Sequence, residues 1–264
     1  MWEKFEKANK GDVIVNFFIL LFALSNLFIL YWMFANSFQY TYTIVNYINL
    51  FSGTNAAQWT INSLFISTVT TFIVIAISSL AAYGFAKINF IGRNTIFIIL
   101  ISTLMVPKEI IFIPLFKTTQ ALGMIGKYSS MILPNTGFPL GVFLLRQFYQ
   151  SIPDSLRESA KIDGASEMTI FLKIILPLGK AGMAALTVMT FINTWNDYLW
   201  QLILTTNEEI KTLPIGIASL LQIVNPDYGL RLAGSAISAI PMLILFIAFQ
   251  KYFTKGITVG AVKE

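Results

Sequence analysis

Residues 13–35, VIVNFFILLFALSNLFILYWMFA, and residues 61–86, INSLFISTVTTFIVIAISSLAAYGFA, decide the fold. They lie within one run, Val13 to Ala86, in which no Asp, Glu, Lys or Arg occurs over 74 residues. A helix that crosses the hydrocarbon core of a bilayer needs roughly 20 apolar residues. The run therefore holds two spanning helices, and the uncharged polar stretch from Ser37 to Thr60 joins them.

Working outward, further charge-free runs cover 94–107, 128–145, 181–196, 198–207 and 232–250. They predict a third span near 94–116, a fourth near 127–147, a fifth near 181–204 and a sixth near 232–252. The third is expected to break at Met105-Val106-Pro107, because Pro107 has no amide hydrogen to continue a helix. The composition agrees with an all-α membrane protein of six transmembrane helices. Of 264 residues, 56% are apolar and 12% charged, against about 25% charged in an ordinary soluble domain. An ordinary soluble enzyme and a disordered chain are both excluded. The chain has no Cys and no His, which excludes disulfides, thiol nucleophiles, Ser-His-Asp triads and the common zinc sites.

Loop charges set the orientation. Segments 1–12, 87–93, 146–180 and 251–264 carry thirteen of the eighteen Lys and Arg residues. The positive-inside rule puts these segments, and so both termini, in the cytoplasm. The net charge of +5 then reads as anchoring to membrane lipid, not as a nucleic-acid surface. The first apolar run is longer than a signal core and lacks a small-x-small cleavage site, so it reads as a retained span. Trp2 to Lys7 suits either a short helix on the membrane surface or a solvated tail. Three parts result: residues 1–56, a core at 57–252, and a cytoplasmic tail at 253–264.

The most informative loop, 151–178, lies between spans four and five. Pro153 suits the first turn of a helix with Ser151 available as its cap, and Gly164 suits a left-handed stop. A second helix is expected from Ala165 or Ser166. Met168, Phe171, Leu172 and Ile175 recur at helical spacing and give it an apolar face, and Pro177 ends it. Two helices this short are barely stable alone. Two supports suit them: the ends of the chain's own spans, or a groove on a soluble partner.

This loop resembles the EAA loop of inner-membrane permease subunits of binding-protein-dependent ABC importers. The family pattern is Glu-Ala-Ala, three residues, Gly, nine residues, Ile, one residue and Leu-Pro. Here Glu158, Ser159, Ala160, Gly164, Ile174, Leu176 and Pro177 stand at that spacing, with Ser159 where Ala is usual. The resemblance continues through Leu144-Leu145-Arg146-Gln147-Phe148, Ile113-Pro114-Leu115, Asn193-Thr194-Trp195-Asn196-Asp197 and the tail Gly256 to Lys263. It covers about residues 57–264 and is strongest with the carbohydrate branch of the family.

The resemblance implies a type I ABC importer permease fold in the cytoplasmic membrane of a prokaryote. It implies a second, related permease subunit, two copies of a cytoplasmic ATPase subunit and an extracellular substrate-binding protein. Glu158, Ser159, Ala160, Asp163, Gly164 and Ala165 would then form the ATPase contact, and Met168 and Phe171 would brace the helix pair against the spans. No cofactor is expected on this chain. ATP and magnesium belong to the partner, because Gly123-Met-Ile-Gly126-Lys127-Tyr128 lacks the spacing and the Ser or Thr of a phosphate loop. The tail Gly260 to Lys263 is either a further ATPase contact or a frayed end.

Asp197 is the one carboxylate bounded by long charge-free runs on both sides. A charge there is costly unless it faces a cavity or an interface. With Asn193, Trp195 and Asn196 it is a candidate for the translocation path, although Trp also serves as an interfacial anchor. The external loop from Thr205 to Leu232 includes an apolar stretch, Leu213 to Val224, expected to be helical. Leu213, Pro214, Ile215 and Gly216 there are candidates for binding-protein contact, or else for a lid packed on the spans. The competing function is an ion-coupled secondary transporter, which would need more ionisable groups inside the membrane than Asp197. An intramembrane enzyme would need paired carboxylates, His or Cys.

Overall fold

The computed structural model describes residues 10–38, 44–220 and 228–261, and within these every regular element is helical. The order is α1 (Lys10–Ser37), α2 (Val45–Gly53), α3 (Ala56–Lys87), α4 (Arg93–Ser102), α5 (Lys108–Ala121), α6 (Tyr128–Thr136) and α7 (Pro139–Gln150). Then come α8 (Asp154–Ile162), α9 (Glu167–Ile170), α10 (Leu176–Leu178), α11 (Lys180–Trp195), α12 (Leu199–Leu204), α13 (Leu213–Ser219) and α14 (Tyr228–Ala261). A π-helical turn, Phe171–Ile175, joins α9 to α10.

The centre of the bundle is α3, whose 32 residues span about 48 Å at 1.5 Å per residue. One face carries small and hydroxyl side chains, Ser63, Ser67, Thr70, Thr71, Ser78 and Ala82, all buried. Small residues let neighbouring backbones approach closely, and α7 and α11 pack along this helix. The opposite face keeps Phe65, Phe72, Ile77 and Leu80 exposed, as a helix bordering lipid requires. In contrast, α1 is exposed all round from Val13 to Trp32 and leans chiefly on α14.

Three unbroken helices are long and apolar enough to cross a membrane: Val13–Ser37, Ala56–Lys87 and Tyr228–Lys251. Counting two bent helix pairs as one span each gives five. The expected six therefore meet fewer continuous helices: Pro107, Pro134, Gly137 and Pro139 lie at the third and fourth breaks, and Asn196-Asp197-Tyr198 at the fifth. The third span breaks at Val106-Pro107, where α4 and α5 meet at 100°. The fourth breaks at Gly137-Phe138 into α6 and α7, of 9 and 12 residues, with Pro134 inside the first and Pro139 opening the second. The fifth breaks between Trp195 and Leu199 into α11 and α12. The second begins five residues earlier than expected, at Ala56, and α14 continues past residue 252 to Ala261. Residues 1–9, with the Trp2–Lys7 segment, and the tail beyond Ala261 lie outside the described residues.

The loop between α12 and α13 is held by Asn62 of α3. Its Nδ2 donates to the carbonyls of Glu209 and Lys211, both at 2.8 Å, and its Oδ1 accepts from Gln58 Nε2 and Tyr128 Oη, both at 2.8 Å. All four hydrogen-bonding positions of a buried amide are thereby filled.

Candidate functional site

The helix pair forms as the sequence predicts around Gly164. Its φ is +78°, a region that costs other L-residues about 1–2 kcal/mol. The Ala165 N–H donates to the Ala160 carbonyl at 2.9 Å and the Gly164 N–H to Lys161 at 3.0 Å, closing α8 as a Schellman turn. Ser166 then caps α9, its Oγ accepting from the Thr169 N–H at 3.3 Å. A Cβ built on Gly164 meets no atom within 4 Å, so this corner faces open space.

Two ties fix the pair to the end of α3. Lys87, whose side chain is 3% exposed, places Nζ 2.7 Å from Asp154 Oδ1 and 2.5 Å from the Ile152 carbonyl. This bond holds the Asp154 carboxyl below its ordinary range. The second tie centres on Glu167. Arg157 Nη2 lies 2.5 Å and Lys161 Nζ 2.6 Å from its Oε1. Arg157 Nε donates to Oε2 at 3.2 Å, and Tyr83 Oη donates to the same oxygen. The Arg157 hydrogen bonds are the main cause that lowers the Glu167 carboxyl to about 2. Glu167 thus joins α8, α9 and α3 at one carboxylate.

Of the residues the sequence singles out, Glu158, Ser159, Asp163 and Gly164 are exposed, and Ala160 and Ala165 are half-buried against the core. Phe171 is buried, its ring centroid 5.2 Å from that of Tyr83. Met168 is 56% exposed and Leu172 is also exposed, so neither braces the pair. The inward face is Glu167, Ile170, Phe171, Ile174 and Ile175, a register set by the Glu167 tie. Ser151 does not cap α8; its Oγ donates back to Phe148 at the end of α7. The second helix runs on through the π turn and ends at Leu178, one residue past Pro177, and the axis bends by 75° before α11.

At the other end of the bundle the proposed path residues separate. Trp195 is 1% exposed, stacks on Phe191 and donates Nε1–H to the Ser238 carbonyl at 3.1 Å, so it is a packing residue. Asn196 donates to Met242 Sδ at 3.4 Å, and Asn193 is exposed. Asp197 alone lines a cavity of about 490 Å³, shared with Asn135, Lys108, Phe112 and Trp200. Asn135 Nδ2 donates to Asp197 Oδ2 at 3.2 Å. Leu213, Ile215 and Gly216 are buried, and Pro214 is half-buried. The Leu213 N–H donates to Ser63 Oγ at 2.8 Å. A Cβ on Gly216 would stand 2.1 Å from the Trp59 ring. These four belong to a lid packed on α3.

Apolar helices packed around a central span, with an exposed helix pair anchored to its end, define a multi-pass membrane protein. Residues 75–259 match the family model described as the binding-protein-dependent transport system inner membrane component, and the chain belongs to this family. It is 41% identical over 219 residues to the arabinooligosaccharides transport system permease protein AraQ of Bacillus subtilis (strain 168), covering 83% of this chain and 78% of that one. It is 33% identical over 262 residues to the trehalose/maltose transport system permease protein MalG of Thermococcus litoralis, covering 92% and 94%. The fold superposes with a TM-score of 0.80, at 23% identity and over 93% of this chain and 99% of the other, on a crystal structure of a bacterial ABC transporter involved in the import of the acidic polysaccharide alginate. The chain is a multi-pass permease subunit.

Proposed function

We propose that this chain is the permease half of an ATP-driven carbohydrate importer in a prokaryotic cytoplasmic membrane. It crosses the membrane six times with both termini inside, and it pairs with a second permease, two ATPase subunits and an extracellular binding protein. The names of the relatives above support the carbohydrate class. ATP and magnesium act in the partner ATPase, and α8 with Gly164 is the docking element. Alternating access follows when closure of the ATPase pair pushes α8, and the ties at Lys87 and Glu167 pass the push to α3.

One observation carries this reading: the EAA-type face at Glu158, Asp163 and Gly164 is exposed, while the opposite side of the pair is locked to α3 by Lys87 and Tyr83. The test is co-purification of the tagged chain with the products of its neighbouring transporter genes. Wild type and Gly164→Asn, which tolerates the left-handed backbone, should retain the ATPase. Gly164→Arg, projecting into the open corner, should lose it. Recovery of no ATPase with wild type refutes the importer assignment.

A further inference from the structure

Three separate helix interruptions meet at one cavity. Its lining includes Val106 at the α4/α5 break, Gly137 and Phe138 at the α6/α7 break, and Asp197 at the α11/α12 break. Broken helices at membrane depth are tolerated where they line a water-accessible or ligand-filled space. Its volume of about 490 Å³ falls within the roughly 300–1,000 Å³ of small-molecule sites. The lining carries one carboxylate, Asp197, and one ammonium, Lys108, so the site has no net charge. Asp197 accepts from Asn135 Nδ2 at 3.2 Å. The Phe112 and Trp200 rings lie 5.6 Å apart along one wall.

We propose that this cavity is a contact station for a neutral, hydroxyl-rich solute on this subunit itself. Asp197 accepts hydrogens from solute hydroxyls, Lys108 donates to hydroxyl oxygens, and Phe112 offers a ring face to C–H groups. The proposal rests on the carbohydrate reading above. The competing role for Asp197 is structural, as the acceptor that holds Asn135. Asp197→Asn removes the charge and keeps a side-chain oxygen for that hydrogen bond.

The full transporter is reconstituted in proteoliposomes with its binding protein, and uptake of arabinotriose and of maltose is measured. Asp197→Asn should raise the KM for the transported sugar at least tenfold, and Lys108→Gln should raise it severalfold. Glu109→Gln, outside the cavity, should match wild type. A second readout uses the lack of native cysteine. Asn135→Cys, in the assembled transporter, should react with a small anionic methanethiosulfonate and be protected at least fivefold by the transported sugar. A KM within twofold of wild type in Asp197→Asn, or equal labelling of Asn135→Cys with and without sugar, overturns the station and leaves a carboxylate that only holds Asn135. Wild type that recruits its ATPase but takes up neither sugar refutes the carbohydrate reading, and the station falls with it.

Discussion

Lys87, in the last turn of α3, shares its ammonium between the Asp154 carboxylate at 2.7 Å and the Ile152 carbonyl at 2.5 Å. The two partners differ in what they lose when the lysine is removed. Asp154 is mostly exposed and can turn to water, whereas the bond to the Ile152 carbonyl is buried. Lys87 itself is buried, and leaving a buried ammonium without its counter-charge costs about 3–5 kcal/mol. Lys87→Met removes that charge and instead orphans a buried carbonyl, at about 1–3 kcal/mol. Asp154→Asn should therefore lower the thermal midpoint at least as much as Lys87→Met. A much larger loss in Lys87→Met would show that the carbonyl bond, not the ion pair, anchors the loop.

The Glu167 tie has a defined pH window. Its carboxyl is lowered to about 2 in the folded chain from about 4.3 when unperturbed. A depressed carboxyl stabilises the fold above the unperturbed value, and that contribution disappears as pH falls through the folded value. The gap in thermal midpoint between wild type and Glu167→Gln should be constant from pH 7 to 5, then close between about 4 and 2. A gap that does not change with pH would refute the tie.

Gly216 lets α13 close on Trp59. An added methyl group would stand 2.1 Å from the ring, so Gly216→Ala must displace the lid or the indole. The expected cost is about 1–3 kcal/mol, as in other overpacked cores. Trp59→Leu in the same chain should recover part of it. Additive losses in the double variant would show that the two residues do not share the contact.

Asn62→Ala removes two hydrogen bonds to the backbone carbonyls of the loop between α12 and α13. At about 1 kcal/mol per hydrogen bond, the opening equilibrium should rise roughly tenfold or more. Limited digestion with a glutamate-specific protease should cut after Glu208 or Glu209 correspondingly faster. Unchanged cleavage would mean that the lid is held by α13 alone.

The spans at both ends of the chain were legible because unbroken absence of charge is a local signal. Gly164 was legible for a similar reason, since a glycine between two short helical patterns marks a left-handed stop. The inward register of α9 was not. Met168 and Leu172 look like core residues by spacing, but a polar residue, Glu167, fixes which side faces α3. Its partner Tyr83 is 84 positions away, and no local pattern announces such a contact. Asp197 was visible as a stranded carboxylate, and the Pro107 break that brings Lys108 to it was expected, yet Asn135 joins it only through the α6/α7 break that the span pattern had merged. Leu213 to Gly216 form an apolar run that suits a docking face and a buried lid equally. Contact with Trp59 and Ser63 shows that this run packs on α3, which the apolar pattern alone does not place.

The loose lean of α1 on α14 bears on how the chain is made. The roughly 190 residues between Ser37 and Tyr228 take about 10–40 s to synthesise at 5–20 residues per second. For that interval only its end has a helical neighbour, where Asn46 Nδ2 of α2 donates to the Ser37 carbonyl at 2.7 Å, and the rest of the helix must hold its place by partition into lipid. Its apolar surface on every side is thus a requirement of assembly order, met before any bundle exists.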